Sequence, residues 1–161
     1  MLQEIIILIL LTFLPLFELR LSIPVGILAT QLNLPFNITL TAFNLNPFLV
    51  ATICILANIL LGYLLYELLY LFNPLLKKFP KIYKLLQRSQ RRLNPYIEKY
   101  GILGIALFVA IPLPGSGSYT ASIGSFLLGI KKKDFYIANT IGVILAGILV
   151  TLITTGILSL T

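Results

Sequence analysis

Two short interruptions of apolar sequence contain the residues best suited to binding chemistry. The first reads E-L-R-L-S-I-P-V-G at residues 18–26 and brings Glu18 and Arg20 close together along the chain. The second reads P-L-P-G-S-G-S-Y-T at residues 112–120 and combines proline, glycine and hydroxyl side chains. A carboxyl group can carry a proton, a guanidinium can bind an anion, and a glycine-rich turn lets backbone N–H groups approach a ligand.

The composition gives little support to catalysis or metal binding. The chain contains no His and a single Cys, Cys54, which lies in an apolar run. One cysteine forms neither an intramolecular disulfide nor a zinc site. A serine nucleophile such as Ser116 would need a base, and the nearby sequence supplies none. We therefore expect a protein that is not an enzyme and that uses no cofactor and no metal.

The elements that position these residues are those of a membrane protein. Of the 161 residues, 58% are hydrophobic and 11% are charged, whereas a soluble domain has about 25% charged residues. We expect a single integral membrane domain of the all-α class over residues 1–161. The apolar N-terminus lacks a basic leading segment and a small-residue cleavage site, so we expect it to be retained.

Two segments are long enough to cross a bilayer, which takes about 20 residues. They are residues 47–72, which follow the helix-start pair Asn46-Pro47, and residues 134–158. Between them, residues 75–93 carry regularly spaced apolar side chains among lysines and arginines, which predicts an amphipathic interfacial helix. The pair Asn73-Pro74 predicts the end of the first span, and Asn94-Pro95 predicts the start of a new helix.

The basic residues predict the topology. They concentrate in segments 77–99 and 131–133 of a chain whose net charge is +7. Such segments beside membrane spans mark the cytoplasmic side, and a nucleic-acid partner is not expected in so hydrophobic a chain. Residues 95–130 then enter and leave from one face, as a re-entrant hairpin broken between Ile111 and Ser118. Residues 2–34 form a second hairpin broken at 18–24, with the N-terminus and residues 31–46 outside.

This order of elements predicts an inverted repeat. Ile23-Pro24 matches Ile111-Pro112 at an offset of 88, and Phe48 and Ala51 match Phe135 and Ala138 at an offset of 87. Inverted repeats with discontinuous helices are a transporter design whose site lies near the bilayer midplane. Helix N-termini and an arginine would favour an anion there. The residues expected to form the site are Glu18, Arg20, Gly115, Ser116, Gly117, Ser118 and Tyr119.

Glu18 and Arg20 have two interpretations. In the functional one, Arg20 binds an anionic group and Glu18 is a protonatable group that couples transport to protons. In the other, the two residues form an ion pair in extended backbone that only stabilises the hairpin tip. We favour the functional interpretation, since apolar packing easily replaces a purely stabilising pair. Glu67 is expected to snorkel near the cytoplasmic end of its span, and Asn58 and Asn139 could bond between helices.

The two interruptions resemble the signatures of the small multidrug export protein family, over nearly the whole chain. The matching stretches are residues 18–26 and I-P-L-P-G-S-G-S-Y-T-A-S-I-G-S-F-L-L-G-I at 111–130. The resemblance implies that the family's signature residues contribute to the substrate site. Here they are Glu18, Arg20, Pro24 and Gly26 in the first stretch, and Pro112, Pro114, Gly115, Ser116 and Gly117 in the second.

That family is similar in turn to the DedA/VTT membrane proteins, whose C-terminal half has a proline-broken hairpin, a basic turn and a long helix. The resemblance implies two opposed re-entrant hairpins and the translocation of polyprenyl-phosphate or phospholipid. The second hairpin of that superfamily usually carries an arginine after its proline, whereas residues 113–120 contain none. Anion binding at this tip would then depend on backbone and hydroxyl groups.

These observations leave three functions open. The first is a transporter or flippase that moves an amphiphilic, anionic substrate, such as an isoprenoid-phosphate lipid, through a midplane site. The second is a proton-coupled small multidrug exporter of cationic or neutral compounds. The third is a structural or assembly protein of the membrane without transport. The expected partners are membrane lipid, a small amphiphilic substrate and a second copy of the chain, in the cell membrane.

Overall fold

The structure, a computed structural model, describes residues 2–15, 17–28, 31–34, 38–41, 43–72, 80–113 and 115–158. These residues form seven helices and one pair of strands. The helices are α1 (Leu2–Thr12), α2 (Glu18–Ile27), α3 (Pro47–Leu71), α4 (Pro80–Tyr100), α5 (Leu103–Ala110), α6 (Ser118–Leu127) and α7 (Lys132–Leu158). The strands are β1 (Gln31–Leu34) and β2 (Ile38–Thr41).

The helical architecture agrees with the predicted class, with one addition. Strands β1 and β2 pair in antiparallel fashion, with Gln31 opposite Thr41 and Leu34 opposite Ile38. This small sheet lies in the segment 31–46, where the sequence predicts only a polar connection. The chain after the sheet turns back onto α2, where the backbone N–H of Phe43 donates to the Val25 carbonyl at 2.9 Å.

The chain divides into two compact units. The first consists of residues 1–58 and 147–161, and the second of residues 59–146. The first unit therefore contains α1, α2, the strands, the start of α3 and the end of α7. The second contains the rest of α3, helices α4 to α6 and the start of α7.

Helices α3 and α7 are long and apolar enough to cross a membrane, by length and composition. Pro47–Leu71 and Lys132–Gly156 match the predicted spans 47–72 and 134–158 closely. Both helices leave many large apolar side chains exposed, which is unfavourable in water and favourable in lipid. On α3 these include Phe48, Leu56, Leu60, Leu64 and Leu68, and on α7 Ile137, Ile141, Ile148, Leu152 and Ile153.

Helix α3 begins at the predicted residue, after the predicted Asn46 cap. Pro47 is the first helical residue, where its missing N–H costs no hydrogen bond. The side chain of Asn46 accepts a hydrogen bond from the backbone N–H of Phe48 at 2.9 Å, as an N-cap does.

The first break lies earlier in the chain than predicted. Helix α1 ends at Thr12, and α2 begins at Glu18 and continues through Pro24 to Ile27. The predicted break at 18–24 is therefore wrong, because these residues are helical. The turn contains Pro15, which cannot donate the hydrogen bond that would continue α1 and which disfavours helical geometry in Leu14.

The basic helix α4 also differs from its prediction. It runs without interruption through Asn94-Pro95, so no new helix begins there, and the Asn94 side chain bonds to Glu98 instead of capping a helix. The helix ends at Tyr100 because Gly101 adopts a positive φ of 59°, a conformation that favours glycine. Residues 75–79 of the predicted amphipathic helix, and the Asn73-Pro74 pair, lie outside the described residues.

The second break agrees with its prediction. Helix α5 ends at Ala110, and α6 begins at Ser118 after an irregular segment that contains Pro112 and Gly115. Helix α4 packs against both α5 and α6, which also contact each other. The two helices are short, with 8 and 10 residues, about half the length that a bilayer requires.

The sequence matches that suggest a repeat do not fall on equivalent positions. Ile23-Pro24 lies within α2, whereas Ile111-Pro112 lies in the break between α5 and α6. Phe48 is 81% exposed and Phe135 is fully buried. Each long helix nonetheless follows a helix–break–helix segment, so the order of elements repeats. The inverted repeat itself stays a prediction.

Candidate binding sites at the two helix breaks

The first break places a carboxyl group inside the first unit. Glu18 is only 6% exposed and begins α2 with a positive φ of 47°, which is unusual for a residue with a side chain. Phe17, the residue before α2, provides no side-chain cap. Glu18 is the acidic residue in the first turn, at the positive end of the α2 dipole. Arg20 is half-buried two residues further along the chain and lies within electrostatic range of Glu18. The expected extended geometry of this pair is wrong, because Glu18 has a positive φ and Arg20 lies in the first turn of α2.

A buried polar cluster joins α1, α2 and α3 beside this carboxyl group. The hydroxyl oxygens of Thr12 and Ser22 are 2.8 Å apart, and the Cys54 thiol lies close to both. The Ser22 hydroxyl also donates to the backbone carbonyl of Glu18 at 3.0 Å. All four side chains are buried, so the first unit contains polar groups in its interior.

Pro24 and Gly26 have structural explanations of their own. Pro24 lies inside α2, where its missing N–H removes the helical hydrogen bond to the carbonyl of Arg20. Gly26 is buried against α3, and a Cβ atom there would lie 2.5 Å from Cγ1 of Val50. The glycine therefore permits the close packing of α2 on α3. The role of both residues at a substrate site stays a prediction.

The second break is a tight turn in which the Ser116 hydroxyl and two backbone amides bond to carbonyl groups of the turn itself. The Ser116 hydroxyl lies 2.6 Å from the Ile111 carbonyl and 2.9 Å from the Leu113 carbonyl. Gly115 has a positive φ of 84°, and Gly117 precedes the first residue of α6 in extended geometry. Ser118 is fully buried and Tyr119 is half-buried, whereas Pro112 is exposed. Pro114 lies outside the described residues.

An arginine that the sequence does not place at the second break reaches it in the structure. Nη1 of Arg92, on α4, lies 3.5 Å from the carbonyl oxygen of Gly115. The guanidinium occupies the position where a Cβ atom on Gly115 would lie, so glycine makes this contact accessible. Sequence reasoning missed Arg92 because it is 23 residues away in the chain. The packing of α4 on α5 and α6 brings it there.

The second unit also contains buried polar side chains, which lie around Gly62 of α3. The Ser122 hydroxyl of α6 donates to the Gly62 carbonyl at 3.1 Å, and the Asn139 side chain of α7 lies against the Gly62 backbone. Within the described residues, neither polar atom of the Asn139 side chain has a hydrogen-bond partner. The prediction that Asn139 bonds to another helix is therefore not met there. Among the same residues, no cluster of His, Cys, Asp or Glu could hold a metal ion.

The predicted site residues therefore lie in two places. Glu18, Arg20, Pro24 and Gly26 belong to the first unit, whereas the residues from Pro112 to Tyr119 belong to the second. The first group lies on α2, directly after the first break, and the second group contains the second break. That the two groups form one site stays a prediction.

One comparison with known proteins assigns the chain to a family. The model of the family described as "Putative small multi-drug export protein" matches residues 18–149, which is most of the chain, from the first residue of α2 through the second break. The chain belongs to this family. The match begins at Glu18 and includes the break at 111–117, in agreement with the family that the sequence motifs indicate. Neither the curated proteins nor the solved structures contain a significant match. Family membership and the two long apolar helices indicate a location in the membrane.

Proposed function

We propose that the chain is a membrane transporter that exports small amphiphilic compounds, with Glu18 as the group that couples export to protons. One observation carries the proposal: a carboxyl group that is 6% exposed begins a short helix directly after a break. An ionisable residue within membrane-embedded sequence is costly and usually functional. The family's description as small multi-drug export proteins supports export as the activity.

The proposed topology uses the two short-helix segments as re-entrant hairpins. Helices α1, α2, α5 and α6 have 11 residues or fewer. None of them spans a bilayer alone, because a transmembrane helix needs about 20 residues. Helices α3 and α7 cross the membrane, with the basic segments 77–99 and 131–133 in the cytoplasm and residues 31–46 outside. Two copies of this small chain complete the transport cavity.

A second candidate is transport of an anionic amphiphile, such as an isoprenoid phosphate or a phospholipid, as a distant relationship to DedA/VTT proteins would imply. The contact between Arg92 and Gly115 favours it, because each break then has an arginine at or beside it, Arg20 in the first unit and Arg92 in the second. Guanidinium groups bind phosphate in a planar, two-point manner, which suits this substrate class. Under this proposal both arginines contact the substrate.

Transport in reconstituted liposomes tests the first candidate. The purified chain is placed in vesicles with an imposed pH gradient, and the movement of a fluorescent cationic drug is recorded. We expect gradient-dependent movement by the wild type and background movement by Glu18→Gln. Glu4→Gln makes the same chemical change on α1 and should transport normally. Equal transport by Glu18→Gln and the wild type would overturn the role of Glu18.

The same vesicles separate the two substrate classes. With fluorescent polyprenyl-phosphate and phospholipid reporters, the anionic candidate predicts translocation that Arg20→Ala and Arg92→Gln both lose. Arg88→Gln, on the exposed surface of α4, is the control for Arg92→Gln. Drug movement that survives both arginine changes favours the first candidate. A folded wild-type protein that moves neither reporter class would support a structural or assembly role instead.

A further inference from the structure

A groove with a volume of about 570 Å³ lies beside the first turns of α7, in the second unit. Its walls are mainly apolar and aromatic, and lysines lie at its N-terminal end, where the basic segment 131–133 meets the membrane span. Six of the residues that line it carry the argument: Tyr63, Lys132, Lys133, Tyr136, Ile137 and Ile141. None of the residues that line the groove belongs to either helix break.

The aromatic wall of the groove is fixed by contacts within the protein. The rings of Tyr63 and Tyr136 stack with their centroids 4.2 Å apart. The Tyr63 hydroxyl lies 2.5 Å from the Thr140 hydroxyl and 3.3 Å from the Tyr136 carbonyl. Since these polar groups bond to one another, the groove presents mainly ring and aliphatic carbon atoms to an occupant. Ile137 and Ile141 extend this apolar surface along the exposed side of α7.

The positive end of the groove contains two lysines in different environments. Lys132 donates to the Glu67 carboxylate at 2.6 Å, and its ammonium also lies 4.1 Å from the centre of the Tyr70 ring. Lys133 is exposed. The carboxylate of Glu67 therefore offsets part of the charge of Lys132, while Lys133 adds a full positive charge. The groove combines a hydrocarbon-like wall with a cationic end.

We propose that this groove binds one molecule of an anionic phospholipid, with its phosphate at Lys132 and Lys133 and one acyl chain along Tyr63, Ile137 and Ile141. A soluble anion would gain nothing from the apolar wall, and a cationic amphiphile would be repelled by the lysines. Basic pockets beside membrane helices on the cytoplasmic side bind anionic lipid head groups in this way. The lipid is a resident ligand, and the proposal does not depend on the proposed transport function.

Native mass spectrometry of the detergent-purified full chain tests the proposal. The chain is titrated with phosphatidylglycerol and with phosphatidylcholine that has the same acyl chains. We expect phosphatidylglycerol to bind more tightly, and Lys133→Gln to weaken its binding about fivefold, the effect of one lysine near an anionic head group. Lys131→Gln removes the same charge from an exposed position that does not line the groove, and should change binding less than about twofold.

Two further variants distinguish a defined site from general attraction to a basic surface. Glu67→Gln keeps the bond to Tyr136 but releases the charge of Lys132, so phosphatidylglycerol should bind more tightly. Ile137→Trp fills the groove and should weaken binding of both lipids, whereas Ile144→Trp, also exposed on α7, should not. Equal effects of Lys131→Gln and Lys133→Gln, or equal affinity for the two lipids, would overturn the proposal. Lys133 is exposed, so its variant tests the site even if Ile137→Trp does not fold.

Discussion

The side chain of Asn139, on α7, lies against the backbone of Gly62, on α3, in the position that a Cβ atom on residue 62 would occupy. Asn139 is fully buried, so its amide cannot move aside into solvent. Within the second unit, the close approach of α3 and α7 therefore depends on a glycine, a common feature of helix packing in membranes.

Gly62→Ala should destabilise the protein by about 1–3 kcal/mol, because the added methyl group overpacks a filled interior. Thermal unfolding in detergent, followed by circular dichroism, measures the effect. Gly156→Ala is the control, since a Cβ atom there meets no other atom within 4 Å. It should stabilise α7 by about 0.5–1 kcal/mol. Removing the obstacle with Asn139→Ala should reduce the cost of Gly62→Ala. An unchanged cost in the double variant would contradict this explanation.

Gly115→Ala should affect both stability and transport, through two separate causes. A non-glycine residue at a positive φ costs about 1–2 kcal/mol, and the methyl group would displace the Arg92 guanidinium from the break. Gly129→Ala has the same kind of strain, with φ of 69°, and no atom within 4 Å of the added Cβ. Both variants should lose similar stability in thermal unfolding. Only Gly115→Ala should reproduce the transport defect of Arg92→Gln. Normal transport by Gly115→Ala would show that the contact itself is unimportant.

Asn46→Ala should destabilise the protein by about 1 kcal/mol, because it removes the N-cap of α3. Asn46→Asp retains an oxygen that can accept from the Phe48 N–H, so its thermal unfolding should match the wild type within about 0.5 kcal/mol. Similar unfolding of all three proteins would mean that water replaces the cap at no cost.

Thr12→Val should destabilise the protein by about 0.5–1.5 kcal/mol, the usual net contribution of a hydrogen bond. The change removes a hydroxyl that lies 2.7 Å from the Leu8 carbonyl of its own helix and 2.8 Å from Ser22 Oγ, while preserving side-chain shape. Thr154→Val is the matched control, because Thr154 is also buried and bonds to a carbonyl of its own helix. The difference between the two losses in thermal unfolding measures the link between α1 and α2. Equal losses would assign the whole effect to bonds within each helix.

Features that depend on local chemistry could be predicted from the sequence. The start of α3 at Asn46-Pro47 follows from capping, which involves only neighbouring residues. The second break follows from Pro112, Gly115 and Gly117, which are poor helix formers close together in the chain. The two spans follow from length and apolar content, which do not depend on how the helices pack.

Features that depend on packing could not be predicted. Charge at Glu18 and Arg20 and the proline at 24 suggest a break at 18–24, but a single proline can be accommodated in α2 when the turn at Pro15 already separates the helices. Pro95 likewise lies inside a continuous helix, α4. The contact of Arg92 with Gly115 requires α4 to lie on α5 and α6, and no sequence pattern near residue 115 indicates it.

The packing of α4 has a mechanical consequence. A Cβ atom on Gly104 of α5 would overlap the backbone carbonyl of Tyr96, and one on Gly124 of α6 would lie 3.1 Å from the carbonyl oxygen of Ser89. Backbone thus rests directly on backbone at Gly104, and at Gly124 the backbone of α6 packs against both the Leu93 side chain and the Ser89 carbonyl of α4. A displacement of α5 or α6 should therefore displace α4 as well. If the hairpin opens during transport, the exposed surface of α4 around Arg88 must move with it, where a spin label can record the motion.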